Sequence, residues 1–148
     1  MTKNIKLDEM ASPEIKAAIE RGMNTVVFGV GSNEQHGLYL HVLTDAAIAE
    51  KLAYLVAHKL GNALKSPTIN LGCSELYMKF AGTISLRKET LQNAIRDYCA
   101  SLAKHGFNRI VILPTHGGNF GPLAEIKDEL QKTYPNVRII AIPIFKNS

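Results

Sequence analysis

Apolar residues along the chain recur in two alternating periods. A helical pattern opens at Ser12-Pro13-Glu14, with Ser12 placed as N-cap and Pro13 at the first helical position, where a missing N–H costs nothing; Gly22 closes it. The run Thr25-Val26-Val27-Phe28-Gly29-Val30 then reads as a buried strand. Past a polar loop, Thr44 or Asp45 caps a second helix that runs to Leu60 and stops at Gly61. A short strand is predicted around Thr68-Ile69-Asn70-Leu71, followed by a glycine-punctuated loop from Gly72 to Gly82. A third helix spans Lys88 to His105, ended by Gly106, and Arg109-Ile110-Val111-Ile112-Leu113 is the next strand. A fourth helix from Pro122 to Tyr134 and a strand over Val137 to Ile142 complete the pattern. Continuous β-branched runs alternating with helices imply a parallel sheet covered on both faces, an α/β fold of three layers, α/β/α.

Composition sharpens this reading only a little. A chain of 148 residues that is 46% hydrophobic and 20% charged suits one globular domain and excludes disordered and fibrous classes. The formal charge of +4 is thinly spread, so it argues for neither a nucleic acid nor a membrane surface as partner. Cys73 and Cys99 form no metal-binding or disulfide pattern, which fits a reducing cytoplasm. The opening Met1-Thr2-Lys3-Asn4-Ile5-Lys6 lacks the apolar core of a signal peptide, and no stretch approaches the roughly 18 uninterrupted apolar residues of a spanning helix.

In parallel α/β sheets ligands bind at the carboxyl ends of the strands, which directs attention to the loops after the first and third predicted strands. The first carries Glu34-Gln35-His36-Gly37, then His41 and Thr44-Asp45; the second carries Thr115-His116-Gly117-Gly118-Asn119. If both lie at one sheet edge, Glu34, His36, Asp45 and His116 converge as a mixed nitrogen and oxygen set that suits Zn, Mn or Fe. Taken singly, each has a plainer reading. Glu34 to Gly37 is equally a solvated polar loop, and Asp45 at a helix start is stabilised by the macrodipole without any metal. His41, one helical turn before Asp45, ranks below these four, and His58 and His105 read as structural or exposed. A dinucleotide site on Gly29-Val30-Gly31 fails at Glu34, where a third glycine is needed. A serine esterase lacks its G-x-S-x-G elbow, since Gly72-Cys73-Ser74-Glu75-Leu76 has no final glycine. Cys73 as a nucleophile is a minor alternative to a structural cysteine.

The ordered segments Gly29 to Gly37 with Thr44-Asp45, Phe80-Ala81-Gly82-Thr83-Ile84-Ser85-Leu86, and His105-Gly106-Phe107 leading to Thr115-His116-Gly117-Gly118-Asn119 resemble the creatininase family of metal-dependent amidohydrolases. The resemblance covers nearly the whole chain. It implies a three-layer α/β fold, a divalent centre that often holds two ions, zinc foremost, and hydrolysis of a carbon–nitrogen bond in a small cyclic or linear amide. By position it makes Glu34, His36, Asp45 and His116 the metal ligands and catalytic residues, with Asp45 bridging; Asn119 and the Gly117-Gly118 backbone would add hydrogen bonds. A homo-oligomer is expected. Tyr39 and His41 stand where the family usually has histidine and proline, Tyr77 where it has a histidine, and Ala81 where it has a proline, so substrate identity does not carry over. Gly118 occupies the position that in creatininase itself holds a glutamate two residues past the matched histidine. Other members bring a glutamate on a later segment, and this chain ends at Ser148 before one. Residues 1–148 are therefore expected to be a single creatininase-like domain short of its C-terminal part. Either it is a relative that keeps the fold and one ion without turnover, or Glu75, His41 or a neighbouring subunit completes a compact active site.

Overall fold

A computed structural model describes residues 3–144; Met1, Thr2 and 145–148 lie outside the described residues. The elements in chain order are α1 (Ser12–Glu20), β1 (Thr25–Val30), α2 (Thr44–Leu60), β2 (Ala63–Lys65), α3 (Lys88–Lys104), β3 (Arg109–Pro114), α4 (Phe120–Thr133) and β4 (Arg138–Ala141). All four strands are parallel, in the order β2-β1-β3-β4. Right-handed crossovers then put α2 on one face and α3 with α4 on the other, consistent with α2 packing on β1 and β2 and α3 packing on α4. The order reverses beside β1, so the carboxyl ends of β1 and β3 open onto the crevice where α/β sheets bind ligands.

The two central strands are the driest part of the molecule. Every residue of β1 is buried, and β3 is buried from Ile110 onward. Phe28 stacks on Tyr98 of α3 with ring centroids 4.0 Å apart. Each such large side chain removed from water stabilises the fold by about 1.5–3 kcal/mol. On the opposite face α2 presents Ala46, Ala49, Ala53 and Ala57, all buried at helical spacing. These small residues meet the glycines of β1 and its exit. A Cβ on Gly29 would lie 2.6 Å from Cβ of Ala49, and one on Gly31 would collide with Cα of Ala46. The Gly29-Val30-Gly31 pair thus lets α2 lie against the strand end, and this close approach carries the first turn of α2 into the crevice.

Two local expectations are corrected. The helix α1 is capped by Ala11, whose N–H donates to Glu14 at 2.6 Å, and Ser12 is already helical. The second strand of the chain is Ala63–Lys65, while Ile69 makes only an isolated bridge to Val30 as the chain crosses the end of β1. In β2, Lys65 is 1% exposed; its ammonium lies 2.6 Å from Glu50, which also accepts a hydrogen bond from Thr68. No helix of the described residues is long and apolar enough to cross a membrane.

Candidate metal centre

Three chain segments meet at the carboxyl edge of the sheet. The segment after β1 brings Glu34, whose backbone N–H donates to Val42 at 3.0 Å; Gln35 N–H donates to the Thr83 hydroxyl at 3.1 Å, and the Asn33 amide to the Gly82 carbonyl at 2.7 Å. The Phe80 to Leu86 segment is therefore a buttress for the Glu34 loop. The first turn of α2 brings Asp45. Its carboxylate makes no cap bond to the helix; it accepts from the Ser32 hydroxyl at 2.7 Å, and its backbone carbonyl accepts from Thr115 at 2.7 Å. The end of β3 brings His116.

These three side chains are buried, with one ligating atom from each lying within 4.8 Å of the others. Nδ1 of His116 is 3.2 Å from Glu34 Oε1 and 3.2 Å from Asp45 Oδ2. His36 stands alongside, its side chain 27% exposed, with Nε2 3.5 Å from Asp45 Oδ1 and Nδ1 3.9 Å from Glu34 Oε1. Together with Cys73, Ser74, Leu76 and Tyr77 they line a cleft of about 490 Å³. His41, His58 and His105 are exposed and take no part in the group.

Hydrogen bonding settles which face of His116 looks into the cleft. Nε2 lies 2.8 Å from the Cys73 carbonyl oxygen. A carbonyl only accepts, so Nε2 carries the proton and donates it. In the neutral ring Nδ1 is then a bare acceptor facing two carboxylates, and such a cluster of acceptors needs a cation in its midst, either a proton on Nδ1 or a metal ion. Fixing the second nitrogen of an imidazole on a backbone carbonyl is also how metal-ligating histidines are oriented. Glu34 Oε2 and His36 Nδ1 are buried without a partner among the described residues, as unfilled donor positions would be. The donor set fits a divalent ion.

The electrostatics agree. Burial opposes the charged form of His116, but Asp45, the Cys73 carbonyl and Glu34 outweigh it and raise its pKa. Burial raises Glu34, only partly offset by His116 and Ser74. Burial also works against ionised Asp45, yet hydrogen bonds from His116 and Ser32 and the nearness of His36 leave its pKa lowered. Asp45 is thus the carboxylate held ionised, and Glu34 the one under strain without a cation.

The same geometry disposes of two competitors. Ser74 Oγ is 3.4 Å from His116 Nε2, but that nitrogen spends its proton on Cys73 and has no lone pair to accept one from serine. Burial pushes the Cys73 thiol up, away from the thiolate a nucleophile needs. Asn119 differs from expectation. It is fully buried, its amide donating to Gly31 at 2.9 Å and accepting from Cys73 N–H at 3.0 Å, so it braces the site rather than facing a substrate.

The family profile of creatinine amidohydrolases matches residues 8–146. The chain belongs to the creatininase family. Among curated relatives, the mycofactocin precursor peptide peptidase of Mycobacterium tuberculosis is 36% identical over 108 residues, covering 67% of this chain and 43% of its own. The creatinine amidohydrolase of Pseudomonas putida is 29% identical over 124 residues, covering 80% of this chain and 47% of its own. The creatininase-family chain thus spans about half the length of the curated relatives it matches. Among solved structures, one described as creatininase Mn superposes with a TM-score of 0.87 at 25% identity, over 95% of this chain and 58% of that one. A mutant creatininase described as Zn-Zn type superposes at 0.86, also at 25% identity, over 96% of this chain and 58% of that one. The α/β fold expected from the alternating pattern is the creatininase fold.

Proposed function

We propose that this chain is a divalent-metal-dependent hydrolase that cleaves the carbon–nitrogen bond of an amide, with its ion held by Glu34, Asp45 and Nδ1 of His116. The observation that carries the reading is the bare Nδ1 set 3.2 Å from each of two buried carboxylates. When bound, a divalent ion would supply a water acidified to a pKa of about 7, far below that of bulk water, and a Lewis acid for the carbonyl. Asp45, kept ionised by Ser32 and His116, anchors the centre. The Cys73 carbonyl holds the His116 tautomer, and burial of Glu34 excludes bulk water from its side. His36, part-exposed on the cleft side, is placed to give a proton to the departing nitrogen.

For the substrate, both a small amide and a peptide have support. The amide reading follows the creatinine amidohydrolase relative. The peptide reading follows the peptidase relative and the apolar loops that continue from the site: Leu38 and Tyr39, next to His36, are 89% and 93% exposed, and Leu76, on the cleft wall, is 88% exposed. Such side chains offer contact area to an extended, apolar ligand.

The test is hydrolysis of creatinine, small cyclic and linear amides, and short apolar peptides by metal-loaded protein, beside Glu34→Gln and His36→Ala. The reading expects turnover abolished by chelation and by Glu34→Gln with metal lost, and turnover cut by about 10²–10⁴-fold in His36→Ala with metal retained. Metal-loaded protein that cleaves none of these substrates would favour a relative that keeps an ion without turnover.

A further inference from the structure

We propose that the described residues provide ligands for a single ion at this centre, because the bond that orients His116 also closes position 118 as a source of a ligand for a second. The inference rests on the metal-site reading above. A second ion sharing Asp45 would have His36 as a protein ligand, at 3.5 Å between Nε2 and Asp45 Oδ1. It would need at least one more, since catalytic sites keep three protein ligands and two leave an ion loosely held against water.

Position 118 provides no room for that third group. In creatininase a glutamate stands two residues past the matched histidine, and here the residue is Gly118. A Cβ built on Gly118 would run into the Cys73 carbonyl oxygen and lie 2.6 Å from Nε2 of His116. Those are the two atoms of the 2.8 Å hydrogen bond that turns Nδ1 toward Glu34 and Asp45. A side chain at 118 and the present His116 orientation are thus mutually exclusive. The Cys73 carbonyl is itself held, because the N–H of its peptide, on Ser74, donates to the Ser85 hydroxyl at 2.8 Å, while Cys73 N–H donates to Asn119, which also ties down the Gly31 carbonyl.

Among the described residues no other acidic group at the cleft replaces the missing one. Glu34 and Asp45 are the only carboxylates among the described residues lining the cleft, and Glu75 of the neighbouring turn is exposed and not part of that lining. The remaining polar side chains of the wall are the Cys73 thiol, the Tyr77 phenol and the Ser74 and Thr115 hydroxyls, none a match for the hard, anionic ligand that would complete a site of His36 and Asp45. Glu34 Oε1 lies nearer His116, at 3.2 Å from Nδ1, than His36, at 3.9 Å from its Nδ1, which assigns this carboxylate to the first ion. His36 is then left as an imidazole beside a one-ion centre.

The experiment is a titration of metal-depleted protein with Mn(II), read by elemental analysis after equilibrium dialysis and by electron paramagnetic resonance, with His36→Ala and Glu34→Gln in parallel and circular dichroism to verify that each variant is folded. The expected result is saturation at one ion per chain with the resolved hyperfine pattern of an isolated Mn(II), the same count in His36→Ala, and at least a tenfold weaker site in Glu34→Gln. Two ions per chain with an exchange-coupled spectrum, falling to one in His36→Ala, would overturn the inference and leave the metal-site reading intact. No ion bound by folded wild-type protein would overturn both.

Discussion

At the scale of single residues the account turns on His116, whose two nitrogens have separate duties. Without metal, burial disfavours a proton on the ring, but Asp45, the Cys73 carbonyl and Glu34 outweigh it and raise its pKa. A raised folded-state value makes that ion pair a stabilising contribution present below the unfolded histidine range and lost as pH rises through the folded value. Asp45 has the opposite sign: its lowered pKa contributes stability at neutral pH that is lost as pH falls through the carboxylate range. A metal must displace the His116 proton, so affinity is expected to rise by up to about tenfold per pH unit for each proton displaced, until the ring is bare. Calorimetric titrations with Mn(II) between about pH 6 and about pH 8 check this, and a flat profile would mean that Nδ1 is not a ligand. Asn119 acts on the same ring through the Cys73 peptide. Asn119→Ala leaves the Gly31 carbonyl and the Cys73 N–H without partners, which costs about 1–3 kcal/mol in a denaturant melt. It should also loosen metal binding by about 10 to 100-fold, as loss of a group behind a ligand does. An equal loss of stability with unchanged affinity would confine Asn119 to a structural role.

At the scale of elements, the site depends on how closely α2 lies against β1. Gly31→Ala places a methyl group against the Ala46 backbone, and relief requires the first turn of α2, with Asp45, to move. Overpacking of this kind costs about 1–3 kcal/mol, and the displaced Asp45 should weaken metal binding more than the fall in thermal midpoint suggests. Equal affinity in a destabilised Gly31→Ala protein would show that Asp45 is placed independently of the helix. This contact was not legible in the sequence, where Gly29-Val30-Gly31 reads as half of a phosphate loop; what decides it is the alanine stripe on the partner helix, which neither segment reveals alone. The strongly periodic pieces were legible: β1 and α2 fall where their apolar runs and Gly61 put them, and α3 ends one residue before expectation. The second strand was missed for a physical reason. A lysine in a three-residue run reads as solvated, yet Lys65 is buried because Glu50, on a different element, neutralises it. The β-branched Thr68 to Leu71 segment looks more like a strand but only bridges the end of β1.

At the scale of the whole molecule, the carboxyl edge of a parallel sheet gathers ends of three segments that lie far apart in the sequence, and that convergence is what the loops alone did not disclose. The residue types of the candidate site, Glu34, His36, Asp45 and His116, stand out in the chain; the division of His36 from the buried group of three, the tautomer of His116 and the closure at Gly118 emerge only in three dimensions. The central claim is that a divalent ion belongs between Glu34, Asp45 and His116. Its most direct test is a crystal of the protein grown with Mn(II) and measured for anomalous scattering at the manganese edge. The account predicts one strong peak about 2.0–2.3 Å from Nδ1 of His116 and from oxygens of Glu34 and Asp45. An empty cleft at saturating Mn(II), or a peak bound elsewhere with Nδ1 turned away from the carboxylates, would contradict it.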